Sequence, residues 1–436
     1  MVDKTFILDV LNQQMVRSTG CTEPAAVSFA SSLAASELKK NGNPIDKITL
    51  LASKNVLKNA MSAGLPNSDK VGVNYAAGIG AIHGDPKNKL NVNNDVDKAT
   101  YDKVKDMIQD EKIIVDLARV PNVLYIEAIV EGGGHKAKAV IKDEHTNVTL
   151  LQYDDNIIIE KNESIDNNSL ITFSEIATRL NLDDIYRFAT EDLDVDKDPI
   201  DSLKMAVEVN SAIAREGLSR DYGLNIGRNI ARDIDEGLLA DNYVSHAIMK
   251  AVAASDARMA GAPYAVVTNS GSGNQGITNV MPIVSMAEDL KVSKEQLYRA
   301  LALGNLTSIY IKSKFGTLSA FCGAAIASTG AATGITYLRG GDYGAYERTI
   351  INMIGTVTGM ICDGAKPDCS LKIYAGLQGA FNASTLALRN IRVDSTEGIV
   401  CATAEDSIDN MCDLSKFCSE LLDENILKMM INKNDD

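Results

Sequence analysis

The sequence predicts an α+β fold, with a small α+β domain followed by a larger, mainly α-helical domain. Short β-branched runs are confined to the first part of the chain, and from about Ile171 onward helical patterns follow one another between Gly, Asn and Pro residues. The length of 436 residues also exceeds one domain of about 150 residues. We therefore expect an N-terminal region over residues 1–165 and a mainly helical domain over residues 166–436.

The N-terminal region is predicted to begin with two helices. Apolar residues recur at helical intervals from Thr5 to Val16, and Ser18 to Gly20 are typical of a loop. A second helix is predicted from Ala25 to Lys39, with Pro24 at its first position and a stop at Asn41-Gly42-Asn43-Pro44. Cys21 and Glu23 lie between these helices.

The small α+β domain is predicted from short β-branched runs around one amphipathic helix. The helix covers Asp95 to Gln109, with its charged residues on one face. The predicted strands are Ile45–Ser53, Ile113–Leu117, Leu124–Glu131, Lys136–Ile141 and Val148–Tyr153.

The helical half contains an uncharged stretch, Phe315 to Leu338, that is long enough to span a bilayer. Because Gly, Ala, Ser and Thr fill it, insertion into hydrocarbon would gain little, and a helix buried in protein is favoured. Gly316, Gly323 and Gly330 occur at sevenfold spacing here and are interpreted as scaffold positions that let helices approach closely. No membrane segment is predicted.

The net charge and the N-terminal sequence limit the classes of binding partner and the cellular location that we expect. A formal charge of -15 disfavours nucleic acid and anionic membranes. Asp3, Lys4 and Asp9 interrupt the first apolar residues, unlike a secretory signal, so a cytoplasmic protein is expected. We expect a small-molecule partner, and a homo-oligomer stays open.

Three of the seven cysteines form a candidate metal site. An odd number of cysteines without an export signal disfavours a disulfide framework. Cys362 and Cys369 flank a loop with Gly364 and Pro367, and Cys322 precedes them in FCGAA. Spacing alone leaves buried structural thiols and a metal site equally open. Structural zinc wants four ligands, whereas three thiolates suit a cubane iron–sulfur cluster whose open iron acts as a Lewis acid.

Two further motifs are candidates for chemistry. In GCTEP, Cys21 and Glu23 adjoin a helix start, where the dipole is expected to lower the thiol pKa, although most loop cysteines are unreactive. NSGSGNQG offers amides and hydroxyls at a helix start that can hold an amino-acid carboxylate, and as a lone Gly-rich turn it can also be structural. Its candidate substrate-binding residues are Asn269, Ser270, Ser272, Asn274 and Gln275.

Together, GCTEP, SGSGNQG and the Cys-Gly followed by two cysteines resemble the iron–sulfur L-cysteine desulfidases, over nearly the whole chain. The helical half is similar to the alpha chain of iron–sulfur L-serine dehydratases. The resemblance implies that Cys322, Cys362 and Cys369 hold a [4Fe-4S] cluster and that the Gly-rich segment binds L-cysteine. It also implies that Cys21 is the acid–base group, with Glu23 as its rival or partner.

The implied reaction is β-elimination of L-cysteine to sulfide, ammonia and pyruvate. Some serine dehydratases carry a further cysteine at their C-terminus, whereas this sequence ends ILKMMINKNDD, which favours the desulfidase. Cys401, Cys412 and Cys418 match no cluster role. The alternatives are L-serine dehydration at the same cluster and a non-catalytic protein that binds an amino acid or zinc.

Overall fold

The architecture is α+β in a computed structural model, which describes residues 2–433 except 67, 69, 94, 162–169, 317 and 318. A small mixed sheet with its helices precedes a larger helical region, so the predicted fold class is confirmed. The predicted boundary between residues 165 and 166 lies outside the described residues. The division into two domains stays a prediction.

The elements follow one another in this order. The helices before residue 162 are α1 (Lys4–Gln14), α2 (Thr22–Lys40), α3 (Lys54–Ala60), α4 (Val73–Ile82) and α5 (Lys98–Gln109). The strands are β1 (Arg17–Thr19), β2 (Lys47–Ala52), β3 (Ile113–Leu117), β4 (Tyr125–Gly132), β5 (His135–Lys142), β6 (Val148–Tyr153), β7 (Asn156–Glu160) and β8 (Ala265–Val267). The helices after residue 169 are α6 (Phe173–Arg179), α7 (Leu182–Arg187), α8 (Asp201–Ser219), α9 (Ile226–Asp235), α10 (Tyr243–Met259), α11 (Gly273–Leu290), α12 (Lys294–Phe315), α13 (Gly323–Leu338), α14 (Tyr343–Val357), α15 (Cys369–Leu388) and α16 (Ala404–Ile431).

Six strands form the main sheet in the order β3-β2-β4-β5-β6-β7, in which only β2 and β3 are parallel. Alternate residues of β2, such as Ile48 and Leu50, are fully buried, and α2 packs against β4 and β5. This is the one-sided burial expected of a mainly antiparallel sheet. The turn between β5 and β6 carries His145, which becomes important at the site.

Helix α13 is the centre of the helical region and packs on α11, α12, α14 and α15. At Gly330 a Cβ atom would lie 2.2 Å from Ser308 Oγ and 2.3 Å from the Gly304 carbonyl oxygen, so only glycine permits this helix approach. The interpretation of Gly330 as a scaffold position is confirmed. No helix within the described residues is long and apolar enough to cross a membrane.

Several contacts join the N-terminal elements to the helical region, and two of them bear on the site. Strand β1 pairs antiparallel with β8, which brings Thr19 opposite Ala265. Helix α16 packs on α3, where Lys58 Nζ lies 2.5 Å from Asp423 Oδ1 and both side chains are almost fully buried. These contacts bring the Cys21 segment and α3 up to the helices that carry the other cysteines.

Four features differ from the sequence-based expectations. The Ser18–Gly20 segment was expected to be a loop, but residues 17–19 form β1, and β8 lies in a region expected to lack strands. Both strands are three residues long and depend on each other's pairing, so their local pattern is too short to detect. Strand β7 extends the sheet beyond the expected strands. Helix α2 begins at Thr22, so Pro24 is its third residue and not its first.

Candidate functional site

A short backbone pairing places Cys322 beside Cys362. Phe321 and Ile361 form an isolated antiparallel bridge. On one side of it the Cys322 N–H donates to the Met360 carbonyl at 2.7 Å, and on the other the Cys362 N–H donates to Ala320 at 2.8 Å. The two side chains hydrogen-bond to each other through sulfur.

Cys369 reaches the same place from the far end of a tight loop. It is the first residue of α15, and its sulfur lies 3.7 Å from the Gly364 carbonyl oxygen. Gly364 has φ +100°, and a Cβ there would lie 2.3 Å from the Lys58 carbonyl oxygen. A side chain at this position would be strained and would push the loop off α3. The glycine therefore sets the course of the chain between the two cysteines.

Helix N-termini converge on the sulfur atoms. Cys322 is the N-cap of α13, Cys369 begins α15, and Cys21 is the N-cap of α2. Neither N-cap cysteine uses its side chain to cap its helix. Free N–H groups and the positive ends of the helix dipoles therefore face this region, which stabilises thiolates and other anions.

The paired thiols share a proton unequally. The hydrogen bond from Cys322 lowers the pKa of Cys362, and Lys58, the Gly364 N–H and Lys372 act in the same direction against burial. The same hydrogen bond, with burial, raises the pKa of Cys322. Burial also raises the pKa of Cys369 to about 11. One sulfur of the pair is thus readily ionised before any metal arrives.

Cationic side chains surround the thiols, although the whole chain is acidic. Burial lowers the pKa of Lys312 to about 8, and the negative charges of Cys362 and Glu23 partly oppose that shift. Lys372 forms an ion pair with Asp363, next to Cys362. Lys58 approaches from α3 and Lys366 from the loop. This positive charge would balance an anionic group held by the cysteines.

Cys21 belongs to a small apolar cluster with Ala63 and Met259, and Ala365 and the third thiol, Cys369, pack against this cluster. It is 4% exposed. Burial raises its pKa, with Arg258 opposing the shift and Glu23 adding to it. The expectation of a lowered thiol pKa is therefore wrong, because burial outweighs the helix start and the neighbouring guanidinium.

Glu23 is held as a carboxylate on the other side of the α2 start. It accepts hydrogen bonds from Asn59 Nδ2 at 3.0 Å and from the Thr22 hydroxyl at 3.1 Å. His145 Nε2 lies 4.0 Å from Glu23 Oε1. Burial raises the pKa of Glu23, but His145 and these hydrogen bonds outweigh burial and lower it.

The first residues of the Gly-rich segment are engaged within the protein. Ser270 and Gly271 have positive φ angles and form a tight turn between Asn269 and Ser272. The Asn269 amide donates to Asn305 Oδ1 at 3.0 Å, and the Ser270 hydroxyl donates to Asn269 Oδ1. Ser272 caps α11 by accepting from the Gln275 N–H. These contacts hold the turn, and a role in substrate binding stays a prediction.

Asn274 and Gln275 face the cysteines more directly. Gln275 is 2% exposed, its Oε1 has no hydrogen-bond partner, and its side chain lies against Gly323, the residue after Cys322. Asn274 Oδ1 accepts from Arg258 at 3.1 Å. The end of the segment, and not its beginning, therefore adjoins the candidate metal site.

Sequence reasoning missed Arg258, His145, Lys58 and Lys312. The only local signal for Arg258 is a charged residue inside a helix of small residues, AVAASDARM. His145 lies in a hairpin turn more than a hundred residues from Glu23, so only the tertiary structure brings the two together.

The cysteines fit an iron–sulfur cluster by their chemistry. Three thiols, one of which is readily ionised, meet at helix N-termini amid lysines. Thiolates are the ligands of such clusters, and a missing fourth ligand leaves one iron open. Among the described residues, no three metal-binding side chains already stand as a ready-made site for a single ion.

Comparison with known proteins gives a consistent family. The family model described as serine dehydratase alpha chain matches residues 87–428. A UPF0597 protein of Oleidesulfovibrio alaskensis is 39% identical over 427 residues, covering 98% of this chain and 97% of that protein. A UPF0597 protein of Photobacterium profundum is 38% identical, covering 98% of each chain. Another, of Clostridium perfringens, is 38% identical and covers 99% of each.

Proposed function

The chain belongs to the serine dehydratase alpha-chain family, and on that premise we propose that it is an iron–sulfur lyase, specifically an L-cysteine desulfidase. The observation that carries the proposal is the meeting of Cys322, Cys362 and Cys369 beside Cys21 at converging helix N-termini. The reaction is β-elimination: the Cα proton is removed, and the electrons of the C–S bond leave with sulfur. The aminoacrylate product becomes an imine and hydrolyses to pyruvate and ammonia.

Cys322, Cys362 and Cys369 would hold a [4Fe-4S] cluster, which when bound supplies an open iron as Lewis acid for the departing sulfur. The protein's own contribution begins with charge. Lys312 and Lys372 lie close enough to the thiols to stabilise an anionic group electrostatically. The buried setting keeps that attraction from being screened by water.

Cys21 is the proposed proton-transfer residue. The apolar cluster that contains Cys21 packs against Cys369, one of the proposed ligands, whereas Glu23 is engaged by Asn59 and Thr22. Because burial raises its pKa, Cys21 rests as a thiol and must lose a proton before it can accept one from Cα. Arg258 favours the thiolate. Glu23, a carboxylate two residues after Cys21 in sequence, is the rival base.

Apolar side chains limit water at this position. Ala63 and Met259 are almost fully buried and form one apolar cluster with Cys21. Exclusion of water strengthens the electrostatic interactions at the site and protects a reactive enamine product until it leaves. An open iron is also sensitive to oxygen, which is consistent with our further proposal that the protein works in a reducing cytoplasm.

L-serine dehydration is the second candidate, because the matching family model carries the serine dehydratase name. The same residues would then act on a hydroxyl leaving group. A thiolate-bound iron is a softer partner for sulfur than for oxygen, which favours cysteine. A binding protein without turnover, with or without zinc, is the remaining alternative.

The test is to purify the protein without oxygen, determine its iron and acid-labile sulfide, and supply L-cysteine and L-serine separately. We expect a brown protein that forms pyruvate either from both amino acids or from L-cysteine alone. L-cysteine, which also releases sulfide, should have the higher kcat/KM of the two substrates. Pyruvate from L-serine at the higher kcat/KM would replace the proposal with the dehydratase. A colourless protein that binds amino acids without producing pyruvate would refute both.

A further inference from the structure

Arg258 is a buried cation whose capacity to donate hydrogen bonds is not used in the proposed reaction. It lies near the end of α10, and its residue is only 6% exposed. An arginine is rarely buried without a carboxylate or another anion as partner. Its hydrogen bonds go to neutral groups, the Asn274 side chain at 3.1 Å and the Gly20 carbonyl at 2.9 Å. Its charge is therefore without a counter-ion among those contacts.

The guanidinium also has unused donors. A guanidinium carries five N–H groups, and its Nε is buried with no hydrogen-bond partner. A Cβ atom at Gly273 would lie 2.4 Å from this Nε, so only a glycine lets the guanidinium lie directly against the start of α11. Gln275 Oε1, two residues after Gly273 on α11, is likewise buried without a partner. Buried polar atoms without hydrogen-bond partners therefore occur on both α10 and α11 near the start of α11.

The position of Arg258 suits the substrate. Its Nη2 holds the carbonyl of Gly20, the residue before Cys21, and the next residue, Met259, packs on Cys21. The N-terminus of α11 adds free N–H groups on the same side. A carboxylate bound by Arg258 would therefore lie near Cys21, the residue proposed to transfer the Cα proton.

We propose that Arg258 binds the α-carboxylate of the amino-acid substrate, with Gly273 allowing the guanidinium to lie at the start of α11. The inference rests on the proposed function for the identity of the substrate. Arginine matches a carboxylate with two parallel N–H donors in a fixed plane, which orients the amino acid as well as attracting it. The carboxylate anchored at Arg258 leaves the side chain of the amino acid directed to the thiols and its Cα beside Cys21.

The experiment separates the carboxylate from the rest of the substrate with two thiols. β-Mercaptopropionate keeps the thiol and carboxylate of cysteine and lacks the amine, whereas cysteamine keeps the thiol and amine and lacks the carboxylate. Binding of each to the anaerobically prepared, cluster-containing protein is measured by calorimetry, without turnover. The variants are Arg258→Gln and Gly273→Ala, whose Cβ must displace the guanidinium.

Arg339→Gln is the matched control. It removes a half-buried arginine that also bonds two neutral side chains, at the opposite end of α13 from Cys322 and about 24 Å away along the helix. This variant should bind both thiols as the wild type does.

We expect β-mercaptopropionate to bind Arg258→Gln about 10- to 100-fold more weakly, as loss of a charged hydrogen bond implies, with cysteamine binding changed little. Gly273→Ala should shift the same ligand in the same direction. Equal weakening of both thiols, or unchanged binding of β-mercaptopropionate, would overturn the assignment. If Arg258→Gln weakens the binding of β-mercaptopropionate alone, but the wild type releases no sulfide from L-cysteine, the assignment of Arg258 as a carboxylate-binding residue is kept and the proposed reaction fails. If sulfide is released and Arg258→Gln binds β-mercaptopropionate normally, only the assignment of Arg258 fails.

Discussion

The buried ion pair between α3 and α16 gives the strongest stability prediction. Lys58 and Asp423 side chains are 1% and 2% exposed, with 2.5 Å between Nζ and Oδ1, and Asn55 donates to the other carboxylate oxygen at 2.6 Å. Asp423→Ala leaves an ammonium buried without its partner, which costs about 3–5 kcal/mol. Loss of the Asn55 hydrogen bond adds roughly 1 kcal/mol.

The sum of about 4–6 kcal/mol is a large share of a typical unfolding free energy of roughly 5–15 kcal/mol. Equilibrium urea denaturation, followed by far-UV circular dichroism, measures this loss of unfolding free energy, and the variant should unfold at a lower urea midpoint. Glu424→Ala is the matched control, because Glu424 is the next residue and forms an exposed pair with Lys428. That variant should unfold like the wild type.

A free-energy change below about 1 kcal/mol for Asp423→Ala would refute the reasoning, because it would place the pair in the range of solvated surface pairs. The double variant Lys58→Met with Asp423→Leu should recover most of the loss, since it removes both charges at once. Lys58 also favours the thiolate of Cys362, so this contact links the last helix to the candidate metal site.

Three further predictions concern the site and its scaffold. Cys21→Ser should keep the visible absorbance of the cluster while sulfide release falls on the order of 100-fold, as for a lost acid–base group; normal turnover would remove Cys21 from that role. His145→Gln removes the charge that lowers the Glu23 pKa, so the pKa of Glu23 should rise. If the reaction requires the Glu23 carboxylate, the acid limb of the pH–rate profile then moves to higher pH. An acid limb that does not move would mean that Glu23 does not set it. Gly330→Ala forces a methyl group to 2.2 Å from Ser308 Oγ and should lower the free energy of unfolding by about 1–3 kcal/mol or more, and an unchanged thermal midpoint would show that α12 and α13 can separate freely.

The sequence was informative where local pattern decides structure. β3 and β6 have the predicted bounds, and α5 ends at the predicted Gln109, because β-branched runs and a charged helix face are local signals. β1 and β8 were missed since each exists only through pairing with the other, across more than two hundred residues. Secondary structure of that kind is a property of the tertiary fold.

The candidate site shows the same division. The order of motifs identified Cys21, Cys322, Cys362 and Cys369 as a set, and the structure brings these cysteines together. The predicted direction of the Cys21 pKa shift was wrong, because the burial of Cys21 depends on Ala63 and Met259, which lie in other parts of the chain. Arg258 belongs to no recognisable sequence motif, and its role can be inferred only from its contacts with Gly20 and Asn274 in the folded protein.

The central claim is that Cys322, Cys362 and Cys369 hold an iron–sulfur cluster that is required for sulfide release. The most direct measurement compares iron content and sulfide release from L-cysteine in Cys362→Ala and Cys418→Ala, both prepared without oxygen. Cys418 is a half-buried cysteine on α16 and is not one of the three proposed ligands. We predict that Cys362→Ala is bleached and inactive, whereas Cys418→Ala keeps the iron and the activity of the wild type. Full iron content in Cys362→Ala, or equal loss in both variants, would contradict the account.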